Sequence, residues 1–386
     1  MALRIAITAE PIPSHVSALD YVTYPALHQG HQVTLHAPPM FRREARRRGV
    51  AFSGAGTNWT CDPVLQRTAS EVWRRHGNAL FNRYVFGHLW PEHAEAKAHS
   101  LLTAWTRQRP DLVIAECSDL GAHLAARALR LPLLAADNGL GPLLLDLWDT
   151  HIQPALLPLY KQHEQDTPTL PPMLVPAPTH WFYKTPPPSA RVVQRTLADF
   201  RTALPQWLDR PHSPRPSRPL VYVSLGTLTT TMSGLRTVVE SAYREIMAAL
   251  HTLNCRALVS AGNLAPHLSS TSPHIKVVEH APQPALLHRA DLFVTHGGRA
   301  SLLDAAQGAT PVLGMGILAD QPDNTAEFAR GGLGRALDIT AGRGEIADTL
   351  TTLLSAPRYR TAMKSAAAEL SQLPPLNLTY LHNTLS

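Results

Sequence analysis

Short apolar runs alternate with longer amphipathic stretches twice over in this chain, and that repetition constrains its fold more than any other feature. Leu3–Thr8 reads as a strand, Val16–His28 as a helix and His31–His36 as a second strand. Further on, Pro110–Glu116 (P-D-L-V-I-A-E) is a short apolar run, followed by a helix over Gly121–Leu129 and a strand at Pro132–Ala136. Runs this short and this apolar suit strands buried on both faces, which requires helices on either side of a parallel sheet. The second half repeats the pattern with strands Leu220–Ser224, Arg256–Ser260, Ile275–Glu279, Leu292–Thr295 and Pro311–Gly314. Between them lie helices at Leu235–Leu250, Pro284–Arg289 and Ser301–Gln307. The expected class is α/β, with two doubly wound parallel sheets.

A length of 386 residues accommodates two such domains. Residues 205–219 (P-Q-W-L-D-R-P-H-S-P-R-P-S-R-P) are too rich in proline for helix or central strand, so the linker is placed there. The expected domains are 1–204 and 220–357, with a helical segment at 358–386 packing back on the first domain. The stretch from about 140 to 188 mixes Leu143, Leu144, Leu145, Trp148, Trp181, Phe182 and Tyr183 with many prolines. It reads as a long irregular insertion, either a functional loop or a segment packed on the first domain.

Composition removes several function classes. Cys61, Cys117 and Cys255 lie far apart and form no C-x-x-C pair, which fits a reducing compartment and gives no thiolate metal site. No apolar run reaches the about 18 to 20 residues of a membrane span, and the first residues read as a strand; the expected location is the cytoplasm. The densest source of the net charge of +6 is Arg42, Arg43, Arg46, Arg47 and Arg48, a run expected of a solvated helix face, with an anionic partner as the alternative. No nucleic-acid-binding motif accompanies them.

The sharpest local signal is V-T-H-G-G-R-A-S at 294–301, a strand, two glycines and a helix start. Glycines let a ligand approach the backbone, and a helix N-terminus presents unpaired N–H groups to an anion, so a diphosphate suits the site. An ordinary strand-to-helix turn would look the same. Its neighbours sharpen the reading: S-L-G-T at 224–227, E-H-A-P-Q at 279–283 and A-D-Q-P-D-N-T at 319–325 all fall at strand ends. An acid beside an amide, as in Asp320-Gln321, can both accept from and donate to vicinal hydroxyls of a sugar.

In that order, S-L-G-T, H-A-P-Q, H-G-G-R-A-S, Asp304 and Asp320-Gln321 resemble the C-terminal half of family 1 glycosyltransferases of the GT-B fold, particularly the bacterial macrolide type. The resemblance is strong over about 220–335 and weaker before. It implies two Rossmann-like domains with parallel sheets facing a central cleft. It also implies that His296, Gly297, Gly298, Ser301 and Thr227 hold a diphosphate, that His280, Gln283 and Asp304 hold the nucleoside, and that Asp320 and Gln321 hold the transferred sugar. His280 stands where the family usually has Trp, and Asp304 where it usually has Glu.

An acceptor hydroxyl must lose its proton as it attacks, and imidazole is suited to take it near neutral pH. The family has a histidine in the first loop, matched here by His15 in E-P-I-P-S-H-V, and an Asp at the end of a later strand, matched by Glu116. Asp119 is a second candidate for the carboxylate. His15 read by itself is as well explained as a polar loop residue. The implied activity is inverting, metal-independent transfer of a hexose from a nucleotide diphosphate, UDP favoured over dTDP, to a small, largely apolar acceptor, with no cofactor. Trp59, Trp73, Phe81, Tyr84 and Trp90 could serve such an acceptor or simply pack the core. The rival readings are a sugar-nucleotide epimerase, a non-catalytic partner of a transferase, and a transferase working at a membrane surface. Stable membrane insertion and nucleic-acid binding are not expected.

Overall fold

A computed structural model describes residues 2–187, 189–195, 218–226, 234–270 and 272–385. It divides into unit 1, residues 1–198 with 373–386, and unit 2, residues 199–372. Of the expected linker 205–219, only Arg218 and Pro219 fall within the described residues.

In unit 1 the strands are β1 (Arg4–Thr8), β2 (Gln32–Ala37), β3 (Ala51–Gly54), β4 (Leu112–Glu116), β5 (Leu133–Ala136), β6 (Met173–Val175) and β7 (Arg191–Val192). They form a parallel sheet in the order β3-β2-β1-β4-β5-β6-β7. Ile5 of β1 is level with Val33 on one side and Leu112 on the other, and every residue of β4 is buried. The expected helix over Val16–His28 is two helices, Pro13–Ala18 and Asp20–His28, broken at Leu19, where ψ rises to 2°. Val16, Leu19, Val22 and Ala26 still share one face and bury it against Ile5, Ile7 and Leu35.

The arginine run forms the helix Arg42–Arg48. Its face is solvated except at Arg48, which is buried, donates through Nε to Asp20 Oδ1 at 2.7 Å and also pairs with Glu44. The stretch 140–188 is not the irregular insertion its prolines suggest. It holds helices Gly141–Leu147 and Gln153–Gln162, a π-turn at Trp148–Ile152 and the sheet strand β6. Pro142 and Pro154 sit in the first turns of these helices, where a missing N–H breaks no hydrogen bond.

Unit 2 has β8 (Leu220–Ser224), β9 (Arg256–Ser260), β10 (Ile275–Val278), β11 (Leu292–Thr295), β12 (Val312–Gly314) and β13 (Gly334–Ala336). They make a parallel sheet in the order β10-β9-β8-β11-β12-β13. Tyr222 and Phe293, level with each other on β8 and β11, stack at 5.0 Å in its centre. The segment 358–386 divides. Helix Pro357–Ser371 packs on helix Arg299–Gln307 within unit 2, whereas residues 373–386 go with unit 1. There Gln29 donates to the Leu376 carbonyl at 2.7 Å and accepts from the Leu378 N–H at 3.1 Å, while Leu376, Leu378 and Leu381 join the core.

Helices Trp90–Arg107 and Leu120–Ala128 pack closely in unit 1 because Gly121 has no side chain; a Cβ there would lie 2.5 Å from the Ala94 carbonyl oxygen. Backbone cannot yield as a flexible side chain can. Gly121→Ala is therefore expected to destabilise unit 1 by about 1–3 kcal/mol, read as a lower midpoint in urea unfolding followed by a unit 1 tryptophan.

Candidate active site

In each sheet the strand order reverses once between neighbours: at β1/β4 in unit 1 and at β8/β11 in unit 2. Loops leaving those paired carboxyl ends run to opposite sides, and the crevice between them is where open α/β sheets take ligands. Glu10, His15 and Glu116 follow β1 and end β4. Ser224–Gly226 and His296–Gly298 end β8 and follow β11.

In unit 1, His15 Nδ1 lies 2.6 Å from Glu116 Oε1, and the carboxylate is wholly buried. The pair meets the distance of a hydrogen bond without its ideal alignment. Glu116 has other donors: Ser118 Oγ and Asn138 Nδ2 (2.8 Å) on Oε1, and the Glu10 N–H (2.9 Å) on Oε2. Burial pushes this carboxyl up, but the His15 charge and the donors outweigh it and hold Glu116 below its ordinary range. With Nδ1 turned to the carboxylate, Nε2 is the nitrogen left for chemistry.

Asp119, the second candidate, is engaged elsewhere. It caps the helix Leu120–Ala128, accepting from the Ala122 N–H at 3.1 Å, and its Oδ2 lies 3.0 Å from Lys97 Nζ. Two residues here escape the motif reading. Lys97 is 3% exposed and also donates to the Ala9 carbonyl at 2.6 Å; burial alone would lower its ammonium, but Asp119 and Glu10 hold it above its ordinary value. Glu10 accepts from Trp59 Nε1 at 3.1 Å. A sequence signal for Lys97 exists: it falls on the stripe Trp90, Ala94, Leu101, Trp105, where a core residue is due.

In unit 2, His296 is packed between glycines. A Cβ at Gly226 or at Gly298 would come within 2.7 Å of the ring. Burial pushes this imidazole down to about 4, opposed by a hydrogen bond to the Ser224 backbone, although the residue keeps some open surface. It is thus neutral at physiological pH, its one N–H directed at the Ser224 backbone. Helix Arg299–Gln307 starts after Gly298 with no side-chain cap hydrogen bond, and the N-terminal end of a helix favours an anion.

Gln283 brings the nucleoside and diphosphate candidates together, its Nε2 donating to Asp304 Oδ2 at 2.8 Å and to Ser301 Oγ at 3.2 Å. His280 is exposed on the turn before it. Asp320 is braced by Asn324 Nδ2, which also donates to the Gly297 carbonyl at 3.3 Å. Asn324 thereby ties the diphosphate and sugar candidates to each other; it stands within the quoted A-D-Q-P-D-N-T yet has no role in the sequence reading. Gln321 is buried, and its Oε1 accepts from the N–H groups of Ile317 and Leu318 at 3.2 Å each. Thr227 lies outside the described residues.

Of the aromatic set, Trp59, Phe81 and Trp90 are buried, and Trp73 and Tyr84 are half-buried. Trp59 stacks on His93 at 4.8 Å and meets Trp90 edge-on at 4.7 Å.

Comparison with known proteins bears on the fold. Residues 188–374 match the family described as UDP-glucoronosyl and UDP-glucosyl transferase. Zeaxanthin glucosyltransferase of Pseudescherichia vulneris is 31% identical over 159 residues, 41% of this chain and 38% of that protein. Elloramycin glycosyltransferase of Streptomyces olivaceus is 31% identical over 161 residues, 42% and 40% of the two chains. The matched stretch thus spans about two fifths of these relatives' length. The spinosyn rhamnosyltransferase SpnG superposes with a TM-score of 0.82 at 20% identity, over 99% of this chain and all of its own. The glycosyltransferase VinC, solved with dTDP, gives 0.78 at 20% identity over 99% of each. The fold is that of the GT-B glycosyltransferases.

Gly226 adopts φ +84°, a conformation open to glycine, and faces the His296 ring. Gly226→Ala is expected to displace that ring and weaken nucleoside diphosphate binding by about tenfold or more, about 1.4 kcal/mol in calorimetric titration, with unit 1 unaffected.

Proposed function

We propose, on the premise that residues 188–374 form a domain of the UDP-glucoronosyl and UDP-glucosyl transferase family within a GT-B chain, that this protein is an inverting glycosyltransferase. It moves a hexose from a nucleotide diphosphate to a hydroxyl of a small, largely apolar acceptor such as a natural product. The observation that carries the reading is the 2.6 Å approach of His15 Nδ1 to the buried Glu116 carboxylate.

The chemistry follows from these groups. His15 Nε2 takes the proton of the acceptor hydroxyl, and Glu116 stabilises the imidazolium that forms. The acceptor oxygen bonds to the anomeric carbon as the bond from that carbon to the β-phosphate oxygen breaks, and the departing diphosphate keeps the electron pair. Attack from the side opposite the leaving group inverts the centre. His296, Ser301 and the N–H groups at the start of helix Arg299–Gln307 would meet the developing charge, so the scheme calls for no metal ion. Gln283 and Asp304 would hold the nucleoside, with His280 beside the base, and Asp320, braced by Asn324, would hold the sugar with Gln321 shaping its turn.

An epimerase or a non-catalytic partner would have little use for a base so positioned. UDP is the favoured nucleotide; dTDP is the alternative, supported by the dTDP complex of VinC. No helix among the described residues is long and apolar enough to cross a membrane, in keeping with a cytoplasmic location.

Titration with UDP and with dTDP in chelator is expected to show saturable binding of one of them, and a flat trace with both would sink the donor site. His15→Ala is expected to lower kcat by about 10³-fold while nucleotide affinity stays within about twofold, since His15 and the donor residues lie in separate units. A fall in affinity in step with kcat would contradict its role as base.

A further inference from the structure

Beneath the His15–Glu116 pair lies more acid than base. Glu10, Glu116 and Asp119 face a single ammonium, Lys97, and none of the four is more than 5% exposed. Fully ionised, three carboxylates and one ammonium leave two uncompensated negative charges out of water, each costing about several kcal/mol. A cluster of this kind keeps a proton on one of its acids.

The hydrogen bonds identify which. Glu116 is met by Ser118, Asn138, His15 and the Glu10 N–H, and Asp119 by Lys97 and the Ala122 N–H. The Glu10 side chain meets one neutral donor, the Trp59 indole. The backbone of Glu10, meanwhile, holds Glu116 Oε2 at 2.9 Å. We propose that Glu10 carries the buried proton and is a positioning residue for the His15–Glu116 pair.

With Glu10 neutral, the cluster holds one net negative charge, which the imidazolium cancels when His15 gains a proton. Ionised, Glu10 sets a second carboxylate against Glu116 and pushes apart the loop that carries both its own N–H and His15. Burial raises Glu10 to about 8, against the pull of Lys97 and with Asp119 and Glu116 adding to the rise. The arrangement is therefore intact below that pH and is lost as pH rises through it.

The groups facing Glu10 come from every side: Lys97 from helix Trp90–Arg107, Asp119 from the cap of helix Leu120–Ala128, and Glu116 from β4. His15 adjoins Glu116, His123 adjoins Asp119, and His36 at the end of β2 senses Lys97. Burial lowers His36 and His123 to about 4, so neither gains charge on the alkaline side. The lysine is itself built in, since a Cβ at Gly56 or Gly121 would come within 2.7 Å of its side chain.

The test is an NMR titration of the full-length protein, without substrates, labelled at glutamate carboxyl carbons and histidine ring nitrogens. One glutamate carboxyl is expected to titrate at about pH 8, the His15 ring signal is expected to follow the same transition, and Glu10→Gln is expected to abolish both. Glu10→Asp, which removes the glutamate signal with a smaller change of shape, assigns the resonance independently. No glutamate carboxyl titrating above about pH 6, persistence of that glutamate transition in either variant, persistence of the His15 transition in Glu10→Gln, or a His15 signal blind to it in the parent protein would each overturn the proposal. The kinetic arm rests on the transfer reading: kcat, and not KM, is expected to decline several-fold above about pH 8, and Glu10→Gln to abolish the decline. A decline unchanged in Glu10→Gln would overturn the positioning role. Both NMR transitions in a protein that transfers no sugar would uphold the inference and remove the transfer reading instead.

Discussion

A carboxylate with no solvent exposure must be met by donors from the protein itself, and the demands of Glu116 organise the first unit. Its partners come from the loop after β1, from the helix Pro13–Ala18, from the turn after β4 and from the loop after β5. Each of those segments is placed by a parallel strand that ends at the same edge of the sheet. The charge thus pins together the three lengths of chain that follow β1, β4 and β5, and the imidazole it orients is held by the same set. Asp119 and Lys97 form a second buried layer, coupled to the first through Ala9 and Glu10.

The two switch points solve different problems with one topology. At β1/β4 the crevice is furnished with ionisable groups, which suits moving a proton. At β8/β11 it is furnished with glycines, helix N–H groups and an imidazole kept neutral by burial, which suits holding an anion that arrives already charged. Fixed dipoles need no change of protonation to act, whereas a base must be free to change its own.

Much of the fold was legible because strands buried on both faces write themselves as uninterrupted apolar runs. Leu220–Ser224, Arg256–Ser260 and Leu292–Thr295 match the observed strands to the residue. The prolines of 140–188 suggest irregular chain, yet Pro142 and Pro154 stand in first turns and Pro158 is carried inside helix Gln153–Gln162. Strand β13, Gly334–Ala336, has only a short and partly exposed run to announce it. In the candidate site, residues carried by a motif are legible in the chain, and those defined by packing partners are not. Gly226 matters because of the ring that lies against it, and Asn324 because it links Asp320 to Gly297, relations that spacing along the chain does not encode. Lys97 was legible in principle, as a charge standing on an apolar stripe.

The return of residues 373–386 to the first unit gives the chain an order of completion. A ribosome delivers β1 and its neighbours first, then the whole of unit 2, and only then the leucines that close the core beside Gln29. In terms of chain connectivity, unit 2 is an insertion within unit 1, which reaches its final packing after its younger neighbour has been made. Removal of residues 373–386 would therefore be felt by the unit that holds β1, while the contacts of Gln283 with Ser301 and Asp304 and of Asn324 with Gly297 lie within the other unit.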